Sequence, residues 1–159
     1  MTVPAALSDH PLLQKLQTIH PQAVAAAALF RNELSIEVPA QLLRPVCEFL
    51  KTDLDLAFDF LVDLTCVDRY PVEPRFEVVY HLLSLKTSAR LRLKVRLPGD
   101  TPRVASLTGL WSAANWFERE VFDLFGVQFA GHPHLRRILM PDDWEGHPLR
   151  KDYPVEGYR

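Results

Sequence analysis

The sequence predicts an α+β domain in which a mainly antiparallel sheet is covered by helices on one face. Three strand-like stretches follow one another at residues 58–68, 75–85 and 89–97, and the last two are joined by a connection of hairpin length. Stretches with helical spacing of apolar residues lie on either side, at 40–52 and 112–126. With a short strand at 33–38, the core has the order β-α-β-β-β-α.

The N-terminal residues are predicted to be mostly helical. Stretches 5–19 and 22–30 show helical spacing of apolar side chains, and Pro21 separates them. Residues 33–38 alternate between polar and apolar, as a short strand does. Pro45 lies inside the predicted helix 40–52, so that helix is expected to start late or to be kinked.

The first two central strands differ in their patterns of alternation. In 75–85 both faces are apolar except at Glu77, His81 and Ser84, which is typical of a strand in the middle of a sheet. In 58–68 alternation predicts two aspartates, Asp59 and Asp63, on the solvent face. The core face of that strand is predicted to carry Phe58, Phe60, Val62, Leu64 and Cys66.

The third central strand, 89–97, places four cations on one face. One interpretation is a solvated outer face, partly neutralised by acidic residues on neighbouring strands. The other is a surface for an acidic protein partner. Nucleic acid is not expected as a partner, because the strand lacks the exposed aromatic residues that stack on bases. The cations are Arg90, Arg92, Lys94 and Arg96.

The helix 112–126 is predicted to begin at a Ser112 N-cap and to end at Gly126. Its apolar residues cover more than half of its circumference, and Arg119 and Asp123 form its one clearly polar stripe. Glu118 and Glu120 lie among aromatic residues and are expected to be partly buried. Each must then find a cation or several hydrogen-bond donors, or be protonated, and the downstream arginines are candidate partners. Such a helix needs two neighbours, of which the second is either the C-terminal segment or a partner protein.

The chain is predicted to divide into an α+β domain at 1–126 and an extended C-terminal docking segment at 127–159. Prolines stiffen that segment, and its tryptophan, tyrosine and arginines belong to residue types enriched at interfaces. A metal site at His132, His134 and His147 with Asp142 or Asp143 is a weaker alternative, since no metal-binding spacing supports it. A hydrolytic site is also weaker, because the segment has no serine, threonine or cysteine nucleophile.

Composition excludes several classes of protein. The formal net charge of −2 indicates no general attraction to nucleic acid or anionic lipid. No apolar run is long enough to span a membrane and no signal peptide is visible, so a cytosolic location is expected. Two cysteines, expected as buried thiols, cannot supply a four-cysteine iron–sulfur cluster, and the glycines form no nucleotide-binding loop. Redox cofactors would therefore have to lie in other chains.

Residues 117–154, FEREVFDLFGVQFAGHPHLRRILMPDDWEGHPLRKDYP, closely resemble the C subunit of bacterial respiratory complex I, which is the 30 kDa subunit family of NADH:quinone oxidoreductase. The similarity extends over RFEVVYHLLSL and ARLRLKV, so it covers roughly residues 58–154. It implies a subunit of an oxidoreductase that has no catalytic residue or cofactor of its own. FMN and iron–sulfur clusters would lie in other subunits and pass electrons from NADH to quinone, coupled to proton translocation.

The resemblance also implies partners and a location. The chain would dock on the quinone-pocket (49 kDa-type) subunit and near the iron–sulfur subunits of the peripheral arm, on the cytoplasmic side of the cell inner membrane and without a transmembrane segment. The 112–126 helix and the C-terminal segment, called the tail, would be oriented by Glu118, Arg119, Glu120 and Asp123. The tail cations that would contact carboxylates are Arg136, Arg137, Arg150 and Lys151. The expected docking residues are Glu118, Arg119, Glu120, Asp123, Phe125, Gly126, His132, Pro133, Arg136, Arg137, Asp142, Asp143, Trp144, His147, Arg150, Lys151 and Tyr153.

Two other functions stay open at this point. One is the equivalent subunit of a related membrane-bound hydrogenase or of a quinone reductase with another electron donor. The other is a free-standing metal-dependent or hydrolytic enzyme that uses the histidines and aspartates of the C-terminal segment.

Overall fold

The computed structural model describes residues 4, 7 and 9–157. Within them the chain forms three α-helices: α1 (Pro11–Ile19), α2 (Leu43–Thr52) and α3 (Ala114–Phe125). The strands are β1 (Ala26–Phe30), β2 (Glu33–Glu37), β3 (Phe60–Asp68), β4 (Phe76–Leu83), β5 (Arg90–Leu97), β6 (Arg103–Ala105) and β7 (Gln128–Ala130). The predicted α+β class, with its mainly antiparallel sheet, is confirmed.

Five strands form the main sheet in the order β1-β2-β5-β4-β3. Neighbouring strands are antiparallel except β2 and β5, which are parallel. The parallel pair arises because α2 and the β3-β4 hairpin lie between β2 and β5 in the chain. Strands β6 and β7, which flank α3, form a separate two-stranded parallel sheet.

The core lies on one face of the main sheet. Side chains from α1, α2 and α3 pack there against inward-facing residues of the strands, including Tyr80 and Leu93. Cys47 and Cys66 are buried free thiols, as expected from the sequence. No helix in the described part of the chain is both long enough and apolar enough to span a bilayer.

Residues 22–30 were predicted to be helical, and this prediction is wrong. The last five of them form β1, which is joined to β2 by a tight turn at Arg31 and Asn32, both with positive φ. Alanine has the highest helix propensity of all residues, but tertiary contacts readily override propensity, and here pairing with β2 together with burial of Ala26 and Ala27 outweighs it. Residues 5, 6 and 8 of the other predicted helix lie outside the described residues, and α1 begins at Pro11 after a His10 N-cap.

Two smaller predictions also need correction. In β3 a bulge between Leu61 and Asp63 shifts the alternation, so Leu61 is buried while Phe60 and Val62 are exposed. At the start of α3 the cap position is Ala113, and no side chain caps the helix, so Ser112 is not an N-cap. The end at Gly126, in the left-handed conformation, is as predicted, and α2 starts late, with Pro45 in its first turn.

Candidate docking site

The C-terminal segment folds back over α3, and Asp123 is the centre of that contact. This side chain is fully buried. Its Oδ2 accepts hydrogen bonds from the backbone N–H groups of Ile138, Leu139 and Met140 at 3.0, 2.8 and 2.9 Å. Its Oδ1 accepts one from Arg137 Nη1 at 2.6 Å. Burial opposes ionisation, but these four donors outweigh it and hold the pKa of Asp123 below its usual range.

Arg119, the other member of the stripe predicted to be polar, is also covered by the segment. Its guanidinium donates hydrogen bonds to the carbonyls of Arg136 and Arg137 at 3.2 Å each and lies over the Trp116 ring at 5.1 Å. The polar stripe predicted at Arg119 and Asp123 is therefore covered by the C-terminal segment. Each is buried because the tail backbone supplies its hydrogen-bond partners.

The last carbonyl groups of α3 are satisfied by the same segment. Arg137 Nη1 and His147 Nδ1 contact the Asp123 carbonyl at 3.2 and 2.9 Å, and the Leu149 N–H donates to the Leu124 carbonyl at 3.1 Å. Arg150 Nε donates to the Phe125 carbonyl at 2.7 Å. Helix ends leave such carbonyls without partners, and cations are favourable there. The tail therefore acts as the C-terminal cap of α3.

Glu118 is buried, and no cation among residues 4, 7 and 9–157 pairs with it. Its carboxylate accepts hydrogen bonds from Ser106 Oγ and the Leu107 N–H, both at 2.6 Å, and it is fully inaccessible to solvent. Burial raises the pKa of Glu118 to about 7 despite these two bonds. Of the partners expected for this carboxylate, hydrogen-bond donors from the β6–α3 connection are present in place of the downstream arginines. The raised pKa favours the protonated form, which was also expected. The predicted partial burial of Glu120 is wrong, since its side chain is exposed.

A second anchor of the tail joins residues far apart in the sequence. Arg75, at the start of β4, donates bidentate hydrogen bonds to Asp68 at 2.9 and 2.7 Å and to Asp152 at 2.9 and 2.6 Å. The Lys151 N–H also donates to Asp68, at 2.8 Å. No local sequence pattern indicates this contact, because Arg75 and Asp152 meet only when the tail returns to the sheet.

The remaining predicted docking residues divide by exposure. His132 is half-buried with Nε2 at 3.3 Å from the Asn115 carbonyl, and Phe125 belongs to the core. Among the described residues no three histidine, cysteine or acidic side chains come close enough to hold a metal, so the alternative ligands are not brought together. Tyr153 is half-buried, and the exposed docking residues are Pro133, Arg136, Asp142, Asp143, Trp144 and Lys151.

The boundary predicted at residue 126 stays a prediction. Val127 and Phe129, just beyond it, are buried in the core, and β7 pairs with β6. The first residues of the segment are thus part of the domain's packing.

Replacing Gly126 by alanine is expected to loosen the cap of α3. A Cβ there would lie 2.5 Å from both Arg150 Nη2 and His147 Nε2, and these side chains cannot move away without weakening their bonds to the helix carbonyls. Gly131 is the matched control: its φ of +83° resembles the +76° of Gly126, but nothing lies within 4 Å of its Cβ position. In both variants alanine must adopt a left-handed backbone conformation, which costs about 1 kcal/mol.

Chemical denaturation of the two variants measures the difference. The free energy of unfolding should fall by roughly 1–2 kcal/mol more for Gly126→Ala than for Gly131→Ala, since overpacking adds about that much. Equal losses would show that the contacts of Arg150 and His147 at the helix end do not require residue 126 to lack a side chain.

The chain is similar to a known family over most of its length. Residues 36–159 match the family model described as the 30 kDa subunit of respiratory-chain NADH dehydrogenase. The C subunit of NADH-quinone oxidoreductase from Roseiflexus sp. (strain RS-1) is 51% identical over 150 residues, which is 94% of this chain and 86% of that protein. The protein of the same name from Geobacter sulfurreducens is 49% identical over 80% of this chain and 78% of that protein.

Solved structures agree with the sequence comparisons. A trypsin-resistant fragment (1–134) of Nqo5 superposes with a TM-score of 0.63 at 32% identity, covering 78% of this chain and 96% of that one. A chain of the membrane-bound sulfane sulfur reductase, an archaeal respiratory membrane complex, superposes with a TM-score of 0.76 at 29% identity, covering 91% and 84%. With the family model matching more than three quarters of its residues, the chain belongs to the 30 kDa subunit family of respiratory-chain NADH dehydrogenase.

Proposed function

We propose that the chain is a non-catalytic peripheral-arm subunit of a proton-translocating NADH:quinone oxidoreductase. It docks on the quinone-pocket (49 kDa-type) subunit and near the iron–sulfur subunits, on the cytoplasmic side of the inner membrane. It supports electron transfer from NADH to quinone, with FMN and the iron–sulfur clusters held by other subunits. The names of its relatives support the assignment to the complex.

The observation that carries the docking proposal is a rigidly held tail with large apolar side chains in solvent. Leu139, Trp144 and Leu149, together called the tail surface, are 54%, 41% and 52% exposed. The backbone at each of these residues is held by hydrogen bonds. The Leu139 N–H donates to Asp123, and the Leu149 N–H donates to the Leu124 carbonyl. The Trp144 carbonyl accepts from Arg137, which is itself paired with Asp123 of α3. Ordering a segment and leaving its apolar side chains exposed is typical of a preorganised interface.

The proposed absence of a catalytic role in this chain has support in the positions of its ionisable groups. Asp123, Arg75 and Arg119 are occupied by contacts within the chain. Cys47 and Cys66 lie on different elements, α2 and β3, and burial raises the pKa of both thiols. Thiolate is the form that binds iron or attacks a substrate, and it is disfavoured at both positions.

Replacing Leu139 by aspartate tests the docking proposal. The domain should remain folded, because this side chain projects into solvent, while recovery of the quinone-pocket subunit with the tagged chain should fall by roughly tenfold or more. The measurement is quantitative co-purification from the native membrane, with a thermal melt of the isolated chain alongside. Removing all of 127–159 would be less informative, because Val127 and Phe129 belong to the core.

Leu85→Asp is the matched control, since Leu85 is 64% exposed in the β4–β5 turn and is not part of the tail surface. It should leave co-purification unchanged. If Leu139→Asp assembles as well as the control does, the tail surface is not the docking site.

A second candidate function is supported by the similarity to the sulfane sulfur reductase chain. According to this second candidate, the chain is the equivalent subunit of a related membrane-bound complex that has another electron donor. Co-purifying flavin- and NADH-binding subunits would support the first candidate. A large subunit with nickel ligands, or one for another donor, would support the second.

A further inference from the structure

The face of the main sheet that points away from the helices carries a carboxylate surrounded by cations. Glu77, on β4, is only 2% exposed although it does not face the core. Arg69 Nη2 and Lys94 Nζ lie 2.9 and 3.4 Å from its Oε1, and Arg96 Nε lies 2.9 Å from its Oε2. Glu37 contributes a more distant contact, 3.9 Å from Arg96. The cluster contains three cations, Arg69, Lys94 and Arg96, and two carboxylates, so it has an excess of one positive charge.

The donors of this cluster are incompletely used. The Nε atoms of Arg69 and Arg96 and the Oε2 atom of Glu77 are buried, and none of the three has an aligned hydrogen-bond partner among the described residues. Arg96 Nε and Glu77 Oε2 are close enough for an ion pair, but the N–H does not point at the oxygen. Because the cluster carries an excess positive charge, an additional carboxylate beside it would be stabilised.

The cluster opens into a groove of about 180 Å³ whose other side is β1. Ala26, Ala27 and Ala28 form that side, so no bulky or charged side chain of β1 obstructs an approaching ligand. Strand β1 is also an edge of the sheet. Its sequence, AAALF, has none of the charges, prolines or bulges that usually protect an edge, whereas β3 at the opposite edge has a bulge and Asp63.

We propose that this groove and the β1 edge bind an extended acidic segment of a partner polypeptide, with a carboxylate placed against Arg69 and Arg96. The alanine side and the unprotected strand edge suit an extended backbone, and the excess positive charge of the cluster suits an aspartate or glutamate side chain. The inference deepens the proposed function by naming a second contact within the complex, and it rests on the chain being a subunit. It is separate from the tail surface.

The test is photo-cross-linking in the assembled complex purified from its native membrane. p-Benzoylphenylalanine is introduced in place of Ala28, whose side chain is exposed in the groove. It is expected to cross-link to a partner subunit at a segment with aspartate or glutamate within a few residues. The same probe at Thr87, exposed in the β4–β5 turn, is the position control and should not give this product.

Charge dependence is tested in the same complex with Arg69→Gln, which leaves Lys94 and Arg96 to pair with Glu77. The yield of the Ala28 cross-link should fall roughly fivefold, since one charge-assisted contact is lost. Arg103→Gln, an exposed arginine on β6 outside the groove, should leave the yield unchanged. Thermal melts of both variants verify that the domain is folded.

Several outcomes would overturn the inference. They are a cross-link to a second copy of this chain, to lipid or to a segment without acidic residues, an unchanged yield with Arg69→Gln, or no product at all in an intact complex. Failure of the unsubstituted chain to co-purify with a quinone-pocket subunit would instead overturn the proposed function, so the two failures are distinguishable.

Discussion

Asp123→Ala is expected to lower the free energy of unfolding by about 3–5 kcal/mol, the effect of removing one partner from a buried ion pair. The substitution leaves Arg137 and three backbone N–H groups at 138–140 without their shared acceptor. The tail should separate from α3, and the tail surface should lose its fixed position. Chemical denaturation measures the first effect, and hydrogen exchange at residues 138–140 measures the second.

Asp143→Ala, at an exposed aspartate of the same segment, should change the free energy of unfolding by less than about 0.5 kcal/mol. The pH dependence gives a further check. Because the pKa of Asp123 is lowered in the folded state, its stabilisation is present above the reference value of 3.8 and is lost as the pH falls through the folded pKa. A difference between wild type and Asp123→Ala that persists undiminished in strong acid would contradict the role given to the carboxylate.

Glu118→Gln is expected to change the pH dependence of stability. The folded pKa of about 7 lies above the reference value of 4.5, so the folded state retains a proton that the unfolded state releases between these values. The contribution of Glu118 to wild-type stability therefore falls as the pH rises through this window, by about 3 kcal/mol in total, at 1.36 kcal/mol per pKa unit. A neutral glutamine can still accept from Ser106 or Leu107, and it removes this titration.

The measurement is the unfolding free energy of both proteins from pH 4.5 to pH 8. Between these limits the difference should move in favour of Glu118→Gln by about 3 kcal/mol. Glu120→Gln, two positions further along the same helix but exposed, should run parallel to wild type. Parallel curves for Glu118→Gln as well would mean that the folded domain does not hold the extra proton.

Much of the fold follows from short-range patterns. The alternation in β4 and β5 and the helical spacing of α2 and α3 locate those elements to within a few residues. β1 was mistaken for a helix because its five residues, AAALF, are all apolar and show no alternation. Pairing with β2 is what makes this segment a strand and not a helix. The bulge in β3 likewise depends on its partner strand and reverses the exposure expected for Phe60 and Val62.

At the candidate site, too, the sequence predicted some properties of the tail, and the tertiary structure decided the others. Its composition indicated a segment attached to a surface, and the similarity of its residues indicated the family. It did not show that Asp123, Arg137 and Arg150 are used within the chain, nor that Asp152 joins Arg75 across the domain. Those contacts depend on the path of the backbone between residues 126 and 152.

The sequence by itself determined the α+β class, the end of α3 at Gly126 and the family, because periodicity, glycine conformation and motif similarity are local properties of the chain. The tertiary structure decided which charged groups are buried and what they contact. A carboxylate is stabilised or destabilised by donors that come from elsewhere in the fold. Four such donors lower the pKa of Asp123, whereas Glu118, five positions earlier on the same helix, has two donors, and burial raises its pKa to about 7.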